Sequence, residues 1–499
     1  MSEDERKDLD HEPPRGAATT GTWNGIGYTA TAKWLVLRKK EKPSAEIFSV
    51  SYVADGADLD RPVTFVFNGG PGASSAYLHV GAVGPQRVDF PADGTLPAMP
   101  PRLVQNEESW LAFTDLVFVD PVGTGFSRII DKDREKQEGE KKESGGEQKG
   151  GEPDPNEYFG YQRDLESLSE FMGRWLSDHG RWGSPVFIAG ESYGGYRVGR
   201  LVRVLQETAG IGLNGAILIS PALELGALAS GDYDALPWVD LLPTMAGAAA
   251  HHGRSRAFDA GTPLEEVYRA AEEFATGDYA AFLTRGASMP AGDRDRVLSR
   301  LADLIGLPVD LVTRSEGRIP INVFARELLR DERKVLGLYD ATITVTDPFP
   351  DREPFSGPDP TLSGIAPAYT IAINRQLRSE IGVETDREYT LLSYEVNREW
   401  KDDDKRHFFV PPVGATDDFR YGMTLNPHLK AFITHGRFDL VTPYHASDRL
   451  RNLMRLEPAI ADRVTVRHFG GGHMFYAWEQ SRREFAAAIA EFFAEAAAA

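Results

Sequence analysis

The sequence predicts an α/β fold: a mostly parallel central sheet flanked by helices and interrupted by one large inserted region. Three observations carry that expectation. Short apolar runs alternate with helically spaced segments, the pattern of a parallel sheet with crossover helices. One such run ends in Gly190-Glu191-Ser192-Tyr193-Gly194 and passes directly into a helical pattern. A buried-strand pattern then resumes at Lys430, after about 200 residues of different character.

The elements follow in order. Residues 1–20 are charged and contain no apolar run of signal-peptide length, and they read as a solvated tail. The first part of the core spans 21–225. It opens with strand-like runs at Lys33–Leu37, Glu46–Val53, Val63–Phe67 and Leu116–Asp120. Residues 131–156 are charged residues, Gly and Pro with nothing apolar to bury, so a mobile surface loop is expected there. Tyr161–Leu176 has helical spacing, followed by a strand at Val186–Ala189, a helix over Gly195–Glu207 and a strand at Ala216–Ile219. Residues 226–425, rich in Ala, Pro-Gly turns and charge, read as an inserted cap region. The core resumes over 426–499, with strand Lys430–Thr434, helix 444–457, strand Val464–His468 and a terminal helix.

Composition removes several function classes. The chain has 499 residues, 75 acidic against 55 basic, a net charge of −20, and no cysteine. Such an acidic balance opposes nucleic-acid binding, which needs a basic surface to replace phosphate counterions. Zero cysteines removes disulfides, thiolate metal sites, iron–sulfur clusters and a cysteine nucleophile. No 18-residue apolar stretch is present, so no membrane span is expected. The chain carries no Asn-x-Ser/Thr sequon, and a cytoplasmic location is expected. His251-His252 read as a surface-loop pair. With no His-Glu-x-x-His or acidic calcium-loop pattern, neither a metal nor a cofactor is expected.

The chemistry concentrates at three places. The strand–turn–helix context of Gly190–Gly194 is that of a nucleophile elbow, which holds a serine hydroxyl above the sheet edge. Ser192 is therefore the candidate nucleophile. A serine needs a base and a carboxylate that orients the base, in the chain order Ser, Asp, His. Asp439, after strand Lys430–Gly436, and His473, in the loop Gly470-Gly471-Gly472-His473, supply both in that order. One strand–helix–strand unit separates them, which places both at C-terminal strand ends, where ligands bind in open α/β sheets. His435 lies at the end of a strand pattern and His468 within one, and both are poorer candidates. Backbone donors for a tetrahedral oxyanion are expected from Tyr193 and from the loop Asn68-Gly69-Gly70-Pro71-Gly72. That loop lacks the Lys-Ser/Thr ending of a phosphate-binding loop.

Together, Asn68-Gly-Gly-Pro-Gly with Ser74-Ser75, Asp120-Pro-Val-Gly-Thr-Gly-Phe-Ser127, Gly190-Glu-Ser-Tyr-Gly-Gly195, the Asp439 loop and Gly472-His473-Met474 resemble the serine carboxypeptidase family. The resemblance implies an α/β-hydrolase fold with an inserted cap, and release of C-terminal residues from peptides through an acyl-enzyme. It implies Ser192 as nucleophile, Asp439 as orienting acid, His473 as base, and the Gly70 and Tyr193 N–H groups as oxyanion hole. It also implies that Asn68 and Glu191 bind the terminal carboxylate of a peptide substrate. An esterase or acyltransferase on the same fold is the alternative, because a fold and a triad do not set the leaving group. The sequence departs from the family at Val66 (Trp in the family), Ala73 (Cys) and Ala82 (a second Glu). Without that second carboxylate, Glu191 loses the neighbour that shares its proton. A pH optimum nearer neutral, a weaker reading of the terminal carboxylate, or both, are therefore expected.

Overall fold

The computed structural model describes residues 11–39, 41–130, 157–228, 231–352, 357, 359–403 and 414–497. The charged loop expected at 131–156 and the first half of the expected tail lie outside them. The last four residues of that tail belong to a strand. Ala17–Trp23 (β1) pairs antiparallel with Ile26–Lys39 (β2), Ala17 facing Ala32 and Trp23 facing Ile26. Small and β-branched residues suit a pleated edge. Trp23 anchors the strand from a buried position by donating its indole N–H to the Asn106 carbonyl at 2.7 Å.

The remaining strands of the central sheet are Lys42–Ala54 (β3), Val63–Phe67 (β4), Asp115–Asp120 (β5), Arg128–Ile129 (β6), Val186–Glu191 (β7), Gly215–Ile219 (β8), Lys430–Gly436 (β9) and Val464–Phe469 (β10). Their order is β1-β2-β3-β5-β4-β7-β8-β9-β10, with β6 paired to β3. From β5 to β10 every pairing is parallel, and β1 to β3 form an antiparallel flank.

Alternate strand residues feed two cores. One face sets Val66, Phe118, Ala189 and Ile217 against Phe485, Ile489 and Phe493 of helix Glu479–Ala497. The other sets Phe65, Val117, Ile188 and Leu218 against Leu168, Phe171 and Trp175 of helix Tyr161–Asp178 (α1). Strands buried on both faces read as near-continuous apolar runs, which is why β4, β5 and β7 were visible in the sequence.

Residues 226–425 do not form one packing unit. Helices Leu236–His251 (α2), Leu264–Phe274 and Ala291–Ile305 build a third core with Phe438 and Leu440. Residues 365–391 instead enter the first core, through Ala368, Tyr369, Ile373, Leu377 and Leu391. The boundary drawn from composition missed this, because Ala- and Ile-rich helices look alike whichever surface they cover. His251 ends α2 and His252 caps it, with its Nε2 2.8 Å from the Ala341 carbonyl oxygen, rather than sitting in a surface loop. The helix expected over 444–457 stops at Leu453, followed by Arg455 with φ of +51° and by Pro458.

Candidate active site

β7 delivers Glu191 and Ser192 to the sheet edge, and helix Tyr193–Val204 leaves at once. Ser192 adopts φ +62°, ψ −123°, a conformation non-glycine residues rarely hold. The turn closes because its flanks lack side chains. A Cβ on Gly190 would lie 2.1 Å from the Gly194 carbonyl oxygen, and one on Gly194 would lie 2.7 Å from that of Phe67. The Ser192 N–H donates to the Ile219 carbonyl at 2.9 Å, which ties the elbow to the end of β8.

The next residue along β8 holds the other half of the site. The Ser220 hydroxyl donates to the His473 carbonyl at 2.8 Å. Thus Ser192 and His473 both hang from the end of β8, although 281 positions separate them in the chain. His473 Nδ1 lies 2.6 Å from Asp439 Oδ2, with Asp439 fully buried. Asp439 Oδ1 accepts from the backbone N–H groups of Val441 (2.8 Å) and Thr442 (3.1 Å), and the Thr442 hydroxyl lies 2.6 Å from Oδ2. These donors hold the carboxylate in one orientation. Asp340, within the inserted region, sets the His473 loop by accepting from the Gly472 N–H at 2.9 Å and the Trp478 indole at 3.1 Å. The Tyr339 ring packs edge-on against the imidazole, with centroids 5.1 Å apart.

The Asn68–Ser75 loop closes on the elbow. A Cβ on Gly69 would lie 2.4 Å from the Tyr193 nitrogen, so the two backbones meet there and bring the Gly70 segment beside Tyr193. Tyr193 opens its helix, and its N–H has no intrahelical acceptor. Ala73, where the resemblance leads one to expect cysteine, pairs instead with Leu392 in a β-bridge. The Ser74 N–H donates to the Leu391 carbonyl at 3.0 Å and the Ser393 N–H to that of Gly72 at 2.8 Å. The Asp120 motif is scaffolding for the same loop: Asp120 Oδ1 accepts the Ser75 N–H at 2.9 Å.

Asn68 and Glu191 are both buried, and the Asn68 amide donates to Glu191 Oε2. The Asn68 Oδ1 accepts the Leu78 N–H at 3.0 Å, and the Tyr476 hydroxyl reaches both Glu191 oxygens at 3.0 Å. Burial pushes the Glu191 carboxyl up to about 7, against the pull of His473, Tyr476 and Asn68. For His473, burial acts downward most strongly, yet Asp439 and Glu191 together outweigh it and raise the imidazole above its ordinary value. Loss of the neighbouring glutamate at Ala82 therefore does not strip Glu191 of its proton, because desolvation supplies what a second charge would have.

Sequence reasoning missed Arg197 and Asp164. Arg197 is fully buried and donates through Nε (2.7 Å) and Nη2 (3.1 Å) to Asp164. Its Nη1 donates to the Asn68 carbonyl at 2.6 Å, and its guanidinium lies 4.9 Å from the centre of the Tyr193 ring. One side chain thus ties together the two segments that flank the nucleophile. An arginine five residues after a candidate nucleophile, on the buried face of its helix, was the available signal. The rejected histidines are engaged elsewhere, His435 with Thr442 and Ser447 and His468 with Asp448.

A family model described as serine carboxypeptidase matches residues 33–225, the segment that holds Asn68, Gly70, Glu191, Ser192 and Tyr193. That segment, 193 of the 499 residues, is similar to the serine carboxypeptidase family. Pheromone-processing carboxypeptidase KEX1 of Saccharomyces cerevisiae is 33% identical over 144 residues, which cover 28% of this chain and 16% of KEX1. Serine carboxypeptidase-like 13 of Arabidopsis thaliana is 28% identical over 189 residues, covering 36% of this chain and 37% of that protein. The chain thus spans less than two fifths of either relative's length. The crystal structure of KEX1(Δ)P from Saccharomyces cerevisiae superposes with a TM-score of 0.55 at 14% identity, covering 93% of this chain and 91% of that one. The shared architecture is the α/β-hydrolase fold. Asp439 and His473 lie beyond the residues matched by the family model, and it is the end of β8 that ties the His473 loop and the Ser192 elbow to one sheet edge.

Proposed function

We propose that this protein is a serine-type carboxypeptidase that releases C-terminal residues from peptides. The observation that carries the reading is the buried Asp439–His473 contact at 2.6 Å, held beside the Ser192 elbow and next to a carboxyl, Glu191, that keeps its proton near neutral pH. Ser192 Oγ attacks the last peptide carbonyl while His473 Nε2 takes its proton, with Asp439 stabilising the imidazolium. The Gly70 and Tyr193 N–H groups receive the oxyanion. Collapse breaks the C–N bond, the imidazolium protonates the departing amine, and water repeats the sequence on the acyl-enzyme. Asn68 and protonated Glu191 donate to the terminal carboxylate, so that only the last bond reaches Ser192. A chain without cysteine fits a reducing compartment, and we place its activity in the cytoplasm.

The test follows a short apolar peptide, with free and amidated C-termini, by mass spectrometry across pH 4–8. Loss of single residues from the free acid, abolished by Ser192→Ala, is the expected result. Hydrolysis of a simple ester through Ser192 with both peptides left intact would establish an esterase instead, the reading that the alanine at position 82 favours.

A further inference from the structure

Three tyrosines from three segments surround the Glu191 carboxyl. Tyr476 is accounted for by its bonds to Glu191. Tyr77 and Tyr369 are not. They are 5% and 0% exposed, and neither hydroxyl has a hydrogen-bond partner among the described residues. Their rings pack 4.9 Å apart, and the charge of Glu191 acts on both phenols. The Tyr369 oxygen lies against the turn that carries Ala82. A Cβ on Gly81 would sit 2.7 Å from that oxygen and 3.1 Å from the Tyr476 ring. Tyr369 also lines a cavity of about 730 Å³ that it shares with Met474, which follows His473, and with Tyr339, which packs on the His473 ring.

A buried hydroxyl without an acceptor is destabilising, and native interiors rarely tolerate one. Two side by side, next to the reacting groups, call for an acceptor that arrives with a ligand. The surroundings narrow its chemistry. Both phenols can donate to it, burial holds both protons on across the working pH range, and Asn68 and protonated Glu191 add donors. Such a set suits an anion with two acceptor oxygens. In a peptide bound with its last carbonyl at Ser192, the terminal carboxylate falls one residue beyond that carbonyl, within reach of groups that flank the elbow, of which Glu191 is the nearest in the chain.

We propose that the Tyr77 and Tyr369 hydroxyls bind the terminal carboxylate of the substrate, in the place left by the second glutamate. This rests on the carboxypeptidase reading above. Phenols carry out the task without ionising, so the device differs chemically from a shared-proton carboxyl pair.

The experiment compares wild type, Tyr77→Phe, Tyr369→Phe and the double variant on an acyl-dipeptide with a free C-terminus, its C-terminal amide, and an acyl ester with no carboxylate. Each lost hydroxyl is expected to raise KM for the free acid about tenfold, with ester hydrolysis unchanged. Melting temperature is expected to hold or rise, since each substitution removes an unpartnered polar group. A double variant that keeps the wild-type preference for acid over amide overturns the proposal and leaves the carboxypeptidase reading standing. So does one that loses acid, amide and ester activity in parallel. A wild type that cuts acid and amide alike overturns both.

Discussion

Glu191 and His473 each favour the charged form of the other, and catalysis of the proposed reaction requires both to be neutral. The imidazole must be free to take the Ser192 proton, and the carboxyl must keep its own to greet a carboxylate. Below the raised value of His473 the base is lost, and above about 7 Glu191 ionises and repels the substrate. For free-acid peptides kcat/KM is expected to form a narrow bell near neutral pH, with limbs that belong to the pair rather than to either residue. Glu191→Gln should remove the alkaline limb. It should also move the acid limb to lower pH, because the charge that helps raise His473 is gone. A rate profile peaking near pH 5, or an alkaline limb that survives in Glu191→Gln, would contradict this account. Asp439→Asn should leave the protein folded and lower kcat by about 10³–10⁴-fold on peptide and ester alike, as loss of the group that sets the imidazole tautomer does elsewhere.

Among the elements, the helix behind Ser192 does more than end the elbow, because its Arg197 anchors Asn68 and packs on Tyr193. Arg197→Met would leave the buried Asp164 without its partner and should cost about 3–5 kcal/mol, read from the denaturant midpoint. It should also lower kcat on ester and peptide together, since it loosens backbone donors rather than carboxylate recognition. Adding Asp164→Asn should restore stability and leave kcat low. Much at this scale was legible in the sequence. β4 matched residue for residue, and the elbow was announced by glycines whose absence of side chains the turn needs. What escaped were features with no local pattern: an edge strand in a segment that began with charges, the bridge from Ala73 to Leu392, and the arrival of Tyr369 beside Glu191. Each depends on a partner far away in the chain. Position 82, read as a loss, was only half the story, because the burial that protonates Glu191 belongs to three-dimensional packing.

At the scale of the whole molecule, buried charges help to hold the inserted helices to the core. Arg449, on helix Tyr444–Leu453, forks onto Asp240 of α2 at 2.7 and 2.6 Å, and the Tyr444 hydroxyl donates to Glu272 at 2.6 Å. Asp240→Ala strands a largely buried guanidinium and should lower the midpoint of thermal unfolding, with a smaller effect on kcat, because neither residue touches the His473 loop. Equal melting of variant and wild type would show that the apolar contacts of Phe438 and Leu440 suffice.

The strands β8 and β9 are sheet neighbours, yet residues 220–429 lie between them. A nascent chain emerges from its N-terminus, and domains form as their residues become available. The proposed nucleophile and oxyanion donors are thus translated long before the proposed acid and base. Throughout that interval Ser192 is an ordinary alcohol, with no group to take its proton. Closing so long a loop is also slow. On the proposed mechanism, hydrolysis therefore waits until Asp439 and His473 join the sheet, and a polypeptide still short of them has no means of digesting its neighbours.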